Sequence, residues 1–227
     1  MDTGVTEETR ARLKVAGHAA VSAKEKAVVV MWDELLLGLG LQYDETKDKI
    51  VGFEDWGNTR TNKFADHGLV FMLRFIDSGD ILPISFNFCE GQTTKGQLSF
   101  CIKEVIGAVK EAGFNVVATI CDGGSSNQSV IDTFLHDTEK LKGSEYILRC
   151  KFIVLLIDIS FKMTRIYLCI IFIDGCFILY DMEIIPLFDP PHMIKCSRNN
   201  LIDKDLEFNF DPKKDHRRGH LLLGNIS

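Results

Sequence analysis

The sequence has no C-x-x-C pair, no apolar leader, no uncharged run of bilayer length, no internal repeat and no excess of basic charge. Each absence removes a class of protein. The seven cysteines, Cys89, Cys101, Cys121, Cys150, Cys169, Cys176 and Cys196, are odd in number and scattered, so neither a disulfide framework nor a zinc ribbon is suggested. Several stand in apolar runs, where a free thiol acts as a small hydrophobe. A reducing compartment, nucleus or cytoplasm, is expected. The opening MDTGVTEETRARLK carries acids and lacks an apolar h-region, so no signal peptide is expected. Phe152 to Tyr180 is the most membrane-like stretch, but Asp158, Lys162, Arg165 and Asp174 interrupt it. Its longest uncharged run, Ile166 to Ile173, falls far short of the roughly 20 residues of a spanning helix, so no membrane partner is expected. With 26 Lys+Arg against 32 Asp+Glu and a net charge of −6, bulk charge would not hold nucleic acid, although a local basic patch stays open.

What is present is ordinary globular material: 227 residues, 46% hydrophobic and 26% charged, enough for one large domain, or one domain with tails, around an unstapled core. Residues 1–25 read as a short polar helix or linker with little to bury. From Lys26 the text turns to strands. Ala27 to Trp32 is continuously apolar and ends at Asp33, as in a strand buried on both faces. Leu39–Tyr43 and Lys49–Phe53 flank a polar turn and predict a hairpin. Gly68–Ile76 is a further strand, and Ile84, Phe86 and Phe88 alternate with polar residues after Pro83. Leu98, Cys101, Ile102, Val105, Val109 and Ala112 line one face of a helix that Gly113 would close. A second fully apolar strand, Val116–Cys121, ends at Asp122, and the turn Gly123-Gly124-Ser125-Ser126-Asn127 opens a helix to about His136. Ile184–Phe188 is another strand, and Pro190 or Pro191 starts a helix through Asn200. Residues 149–177 form an atypical hydrophobic insertion without clear period, and residues 203–227 a polar tail. The order implies an α/β fold with a mixed sheet flanked by helices over residues 26–202.

Three groups of residues could carry chemistry. Asp33 and Asp122 each end a fully apolar strand, and ligands of open α/β sheets collect outside the carboxyl ends of strands. If those strands are parallel neighbours, two hard carboxylates could share Mg2+ or Mn2+; otherwise each merely caps a turn or helix. The glycines after Asp122 could cradle phosphate at a helix start, but the run matches no dinucleotide-binding, P-loop or nucleophile-elbow spacing. On a helix from Pro191, His192, Lys195 and Asn199 form one polar stripe, and Lys195 and Arg198 could contact phosphates; a solvated face is the plainer reading. His216 and His220 have a metal-pair spacing but no third ligand.

Read together, VVVMWDEL, YDETKDKIVGFEDWG, ADHGLVFMLRF, ICDGGSSNQ and LFDPPHMIKCSRNNL resemble the P-element transposase family, including THAP-type DNA transposases, over residues 26–136 and 181–201. The resemblance implies an RNase H-like fold and an acidic triad that holds Mg2+ or Mn2+ for phosphodiester cleavage and strand transfer, the metals stabilising the attacking and leaving oxygens. It puts the first Asp on Asp33 and the second on Asp122, and treats Asp55 of GFEDWG as structural, within the second hairpin strand. It sets Asp189 to Asn200 at the last core strand and its helix, just before the family's inserted guanine-nucleotide domain. It further implies transposon-end DNA as the partner of the full-length family; a homo-oligomer stays open.

Set against that pattern, no zinc-module cysteines precede residue 26, and only 27 residues follow Asn200. The reading is therefore a transposase core incomplete at its C-terminus, lacking the triad's Glu and the GTP-binding domain, and inactive alone. Asp205 and Glu207 are the nearby acids, neither in a convincing helix. Residues 149–177 would suit translated non-coding sequence. The alternatives are a domesticated, non-catalytic DNA-associated or interaction module and, last, a small α/β nucleotide-binding enzyme.

Overall fold

The central strand is β1 (Ala27–Leu36), and the rest of the sheet grows outward from it. The computed structural model describes residues 2–46, 48–143 and 175–189. The expectations for residues 149–174, for the helix after Pro190 with Lys195 and Arg198, and for the tail with His216 and His220 lie outside them. The chain divides after Phe188, and the fold below is that of the first unit.

The main sheet has eight strands in the order β5-β4-β7-β6-β1-β8-β10-β9. Strands β4 (Phe53–Asp55), β5 (Arg60–Phe64), β6 (His67–Phe75) and β7 (Ile81–Cys89) form an antiparallel half that joins β1 through β6. On the other side of β1 lie β8 (Asn115–Cys121) and β10 (Met182–Phe188), both parallel to it, with β9 (Phe177–Leu179) antiparallel at the end. A separate hairpin pairs β2 (Gln42–Asp44) with β3 (Lys49–Val51). The architecture is a mixed α/β sheet flanked by helices, as the order of elements predicts.

The apolar content of β1 explains its place. Val28 and Val30 are fully buried on one face, while Val29 packs with Ala118 and Leu187 on the other. Helices α1 (Glu7–Ala19), α2 (Lys95–Glu111) and α3 (Ser125–Lys142) all contribute to the larger cluster that contains Val28 and Val30. Helix α2 starts with a capping box between Thr94 and Gln97, buries the predicted Leu98–Val109 face, and is followed by Gly113 at φ 89°.

Several elements depart from expectation. Helix α1 is not idle: Leu13 is fully buried, and Arg10 pairs with Glu111 of α2 at 2.9 Å. A Cβ added at Gly17 would lie 1.8 Å from the Ala112 carbonyl oxygen, so glycine is what permits this approach. The two-strand hairpin ends sooner than predicted. Gly52, at φ 113°, breaks the chain, and Asp55 falls on β4 of the main sheet, where it accepts from the Thr3 hydroxyl at 2.7 Å and the Gly57 N–H at 3.0 Å. Strand β7 begins before Pro83, which is tolerated because the pairing shifts register opposite Phe71 and Met72. Helix α3 continues past His136 to Lys142, with Gly143 as its C-cap. Strand β9 was not predicted: its two-residue link to β10 is Tyr180-Asp181, at φ 51° and 60°, a left-handed turn without the Asn or Gly that normally announces one. The edge strand is tied to α3, since Ile178 N–H donates to the Thr138 hydroxyl at 2.8 Å and that hydroxyl donates to the Phe134 carbonyl.

Burial pushes the thiols of Cys89 to about 11 and of Cys101 and Cys121 to about 12. A folded pKa above the unfolded value of about 8.5 means stability is intact below that pH and is lost as pH rises toward the folded values. Urea midpoints should therefore fall between pH 8.5 and 11, and substituting the buried thiols by Ala should flatten that slope. Gly17→Ala should cost about 1–3 kcal/mol or more through overpacking, and Leu13→Ala about 2–5 kcal/mol, both read from chemical denaturation.

Candidate active site

Asp33 and Asp122 are brought together by the parallel pairing of β1 with β8. The register runs Val29 to Ala118, Val30 to Thr119 and Met31 to Ile120. Met31 with Ile120 is the last pair, and Asp33 and Asp122 each stand two residues beyond it. A register shift between Val28 and Val29 makes this so. Val28 pairs with Val116, but Val29 pairs with Ala118, leaving Val117 as the extra residue of a bulge. Without it the residue two beyond the partner of Met31 would be Cys121. Bulges commonly re-aim side chains in this way.

The two carboxylates have different surroundings. Asp33 is exposed within β1, and its Oδ1 accepts from the Glu34 N–H at 2.9 Å. Asp122 follows the last residue of β8 and turns toward the first turn of α3. Its Oδ1 accepts from the Gly124 N–H at 3.0 Å and from the Asn127 side-chain amide. The other end of that amide, Oδ1 of Asn127, accepts from the Trp32 indole Nε1 at 2.7 Å. Trp32, the residue before Asp33, is itself buried. Beneath both acids lies the buried Cys121 thiol, raised chiefly by desolvation and further by the charges of Asp122 and Asp33. Glu34 points elsewhere: its Oε1 accepts from the Thr93 N–H at 3.0 Å, just before α2.

The glycine turn does not look like a phosphate cradle. One of its N–H groups is occupied by a carboxylate of the chain itself, whose charge would oppose a phosphate there. Gly124 has an ordinary φ of −61°, so its value lies in space: an added Cβ would stand 3.0 Å from Asp122 Oδ1. Asp55 is remote in topology from the pair, on β4, three strands from β1 in the sheet. Sequence reasoning placed Asp33 and Asp122 but missed Trp32 and Asn127 as partners of the site. Trp32 reads as core in an apolar run, and nothing local signals that its indole meets a residue 95 positions away. Among the described residues no group of three or more His, Cys, Asp or Glu is arranged to hold a metal.

The mixed eight-stranded sheet has a parallel centre flanked by helices, and Asp33 and Asp122 both lie just beyond the last parallel pair of β1 and β8; Asp33 does not end its strand as expected, since β1 runs on to Leu36 against β6. The chain belongs to the TNP-like, RNase H N-terminal domain family, whose model matches residues 1–134. Among solved structures it is similar to the Drosophila P element transposase strand transfer complex, with a TM-score of 0.58 and 17% sequence identity. That match covers 92% of this chain and 36% of the other, so the chain spans about a third of that relative's length. At this identity the likeness speaks to the fold, which is that of an RNase H-like transposase domain. A search of the curated proteins finds no match.

Gly124→Ala should push the Asp122 carboxylate aside by a few tenths of an ångström while leaving the helix intact. The expected result is a near-wild-type far-UV spectrum with displaced amide resonances confined to residues around 122–127.

Proposed function

We propose that this domain is part of the catalytic core of a P-element-type DNA transposase, with Asp33 and Asp122 as two of the carboxylates that hold divalent metal. The observation that supports the reading is the β1–β8 register, whose last pair lies two residues before each of the two acids. Support also comes from membership of a TNP-like RNase H family and from the fold it shares with a transposase captured in a strand transfer complex.

The donor set fits a hard cation. Two carboxylate oxygens suit Mg2+ or Mn2+, hard cations that prefer oxygen ligands to sulfur. Bound there, such a cation would supply Lewis acidity toward a phosphodiester of DNA and lower the pKa of its bound water. The chain's own part is to hold Asp122 in one orientation through Gly124 and Asn127 and to leave Asp33 open to an incoming group. Asp33 and the two leucines that end β1 are exposed, which leaves that side of the site accessible to a large ligand such as DNA.

The test is Mn2+ titration of the 227-residue protein by calorimetry. Asp33→Asn and Asp122→Asn should each weaken binding by at least about tenfold while retaining the native far-UV spectrum. Unchanged affinity in both variants would remove the site.

A further inference from the structure

The contacts around Asp122 point to a positioning device that spans both strands of the site. We propose that Asn127 is a positioning residue for the Asp122 carboxylate and that Trp32 sets the direction in which Asn127 acts. The inference rests on the metal-site reading of Asp33 and Asp122 given above.

The logic lies in which groups can only donate. A tryptophan indole N–H donates and has no acceptor capacity. Trp32 Nε1 therefore requires an oxygen, and it meets Asn127 Oδ1 at 2.7 Å. An asparagine amide offers oxygen on one side and NH2 on the other. Once Trp32 has taken the oxygen, Nδ2 is the end left facing Asp122, and Nδ2 can only donate. It donates to Asp122 Oδ1, the same oxygen that receives the Gly124 N–H at 3.0 Å. Two donors thus converge on one carboxylate oxygen from the first turn of α3, and the carboxylate plane is fixed. A free amide could flip by 180° and turn its oxygen on the carboxylate; the indole forbids that flip.

The origin of the indole gives the arrangement a second consequence. Trp32 is the immediate chain neighbour of Asp33, so the device ties β1 at its acid to the acid that ends β8. The chain of contacts Trp32–Asn127–Asp122 runs along the helix side of the sheet, while Asp33 lies on the next, alternate position of β1. A shift of β1 would pull on Asn127 and turn the Asp122 carboxylate. The Asp122 carboxylate is therefore tied to β1 by a side-chain bridge as well as by the backbone ladder, whose last bridged pair is Met31 with Ile120.

The experiment compares wild type with Asn127→Ser, Asn127→Asp and Trp32→Phe, using Mn2+ affinity by calorimetry and Mg2+ titration followed by 1H–15N NMR. The chain has two tryptophans, Trp32 and Trp56, so two indole cross-peaks appear and Trp32→Phe assigns them. Asn127→Ser should weaken Mn2+ binding by about 10–100-fold, the usual effect of removing a group that orients a metal ligand. Asn127→Asp should weaken it at least as much, by setting acceptor against acceptor. Trp32→Phe keeps the bulk of the ring and should still weaken binding. In wild type the Trp32 indole peak should move with Mg2+ while that of Trp56 stays, and in Asn127→Ser the response should vanish. Leu13→Ala, destabilising but distant, controls for loss of stability and should keep wild-type affinity. If Asn127 served only to support α3, its variants would lower the melting temperature and leave metal affinity unchanged, which would overturn the positioning role alone. Absence of Mn2+ binding by folded wild type would overturn the metal-site reading and the positioning role with it.

Discussion

The parallel ladder between β1 and β8 is the contact on which the rest of the molecule depends. Parallel neighbours cannot be joined by a tight turn, so a long crossover must intervene. Here the intervening chain supplies the antiparallel half of the sheet and then α2, which covers the face it has just crossed. The same ladder brings the carboxyl ends of two strands to one side, where an antiparallel pair would have sent them to opposite sides. The bulge at Val117 then sets which residues meet. One extra residue in β8 is enough to exchange a thiol for a carboxylate at the same distance beyond the last pair as Asp33, and it does so without disturbing the apolar positions on either side: Val28 and Val116 stay in the larger cluster, Val29 and Ala118 in the smaller.

Legibility from sequence followed burial. The runs Ala27–Trp32 and Val116–Cys121 announce themselves because strands covered on both faces have no polar alternation to confuse, and α2 because its apolar residues repeat at helical spacing. Those elements place Asp122 at a strand end before any coordinates are known; they misplace the end of β1, which runs three residues past Asp33 because it keeps pairing with β6 after β8 has left it. Strands β4, β5 and β9 are short, and β5 is mostly exposed, so they carry little pattern. Helix α1 fails for a different reason. Its packing relies on one leucine and a glycine that allows backbone contact, and a missing side chain leaves no hydrophobic signature. The bulge is likewise silent, since Val117 resembles its neighbours, so the sequence could single out both acids yet not their equal distance from the last β1–β8 pair. Asn127 stands in a stretch whose glycines invite a phosphate reading; only the contact with Trp32 turns attention to the carboxylate instead.

The environment of Asp122 also accounts for a turn that is short on regular capping. Helix α3 begins after Gly124, which has no side chain to cap it. Asp122, two residues earlier, accepts the Gly124 N–H and places negative charge near the helix N-terminus, where the helix dipole favours it. One carboxylate thus serves local structure and site geometry together.

The tie between Ile178 and Thr138 bears on how such a domain associates. Sheet edges offer unpaired backbone groups to any passing strand. At one margin β9 is three residues long, and a buried hydroxyl from α3 already engages an N–H of its middle residue. At the other, β5 presents Arg60 and Lys63 along a mostly exposed strand. Among the described residues, then, neither border of the eight-stranded sheet is a good template for strand addition. What the two margins share is that each discourages strand addition, one by engagement of its backbone and the other by its charge.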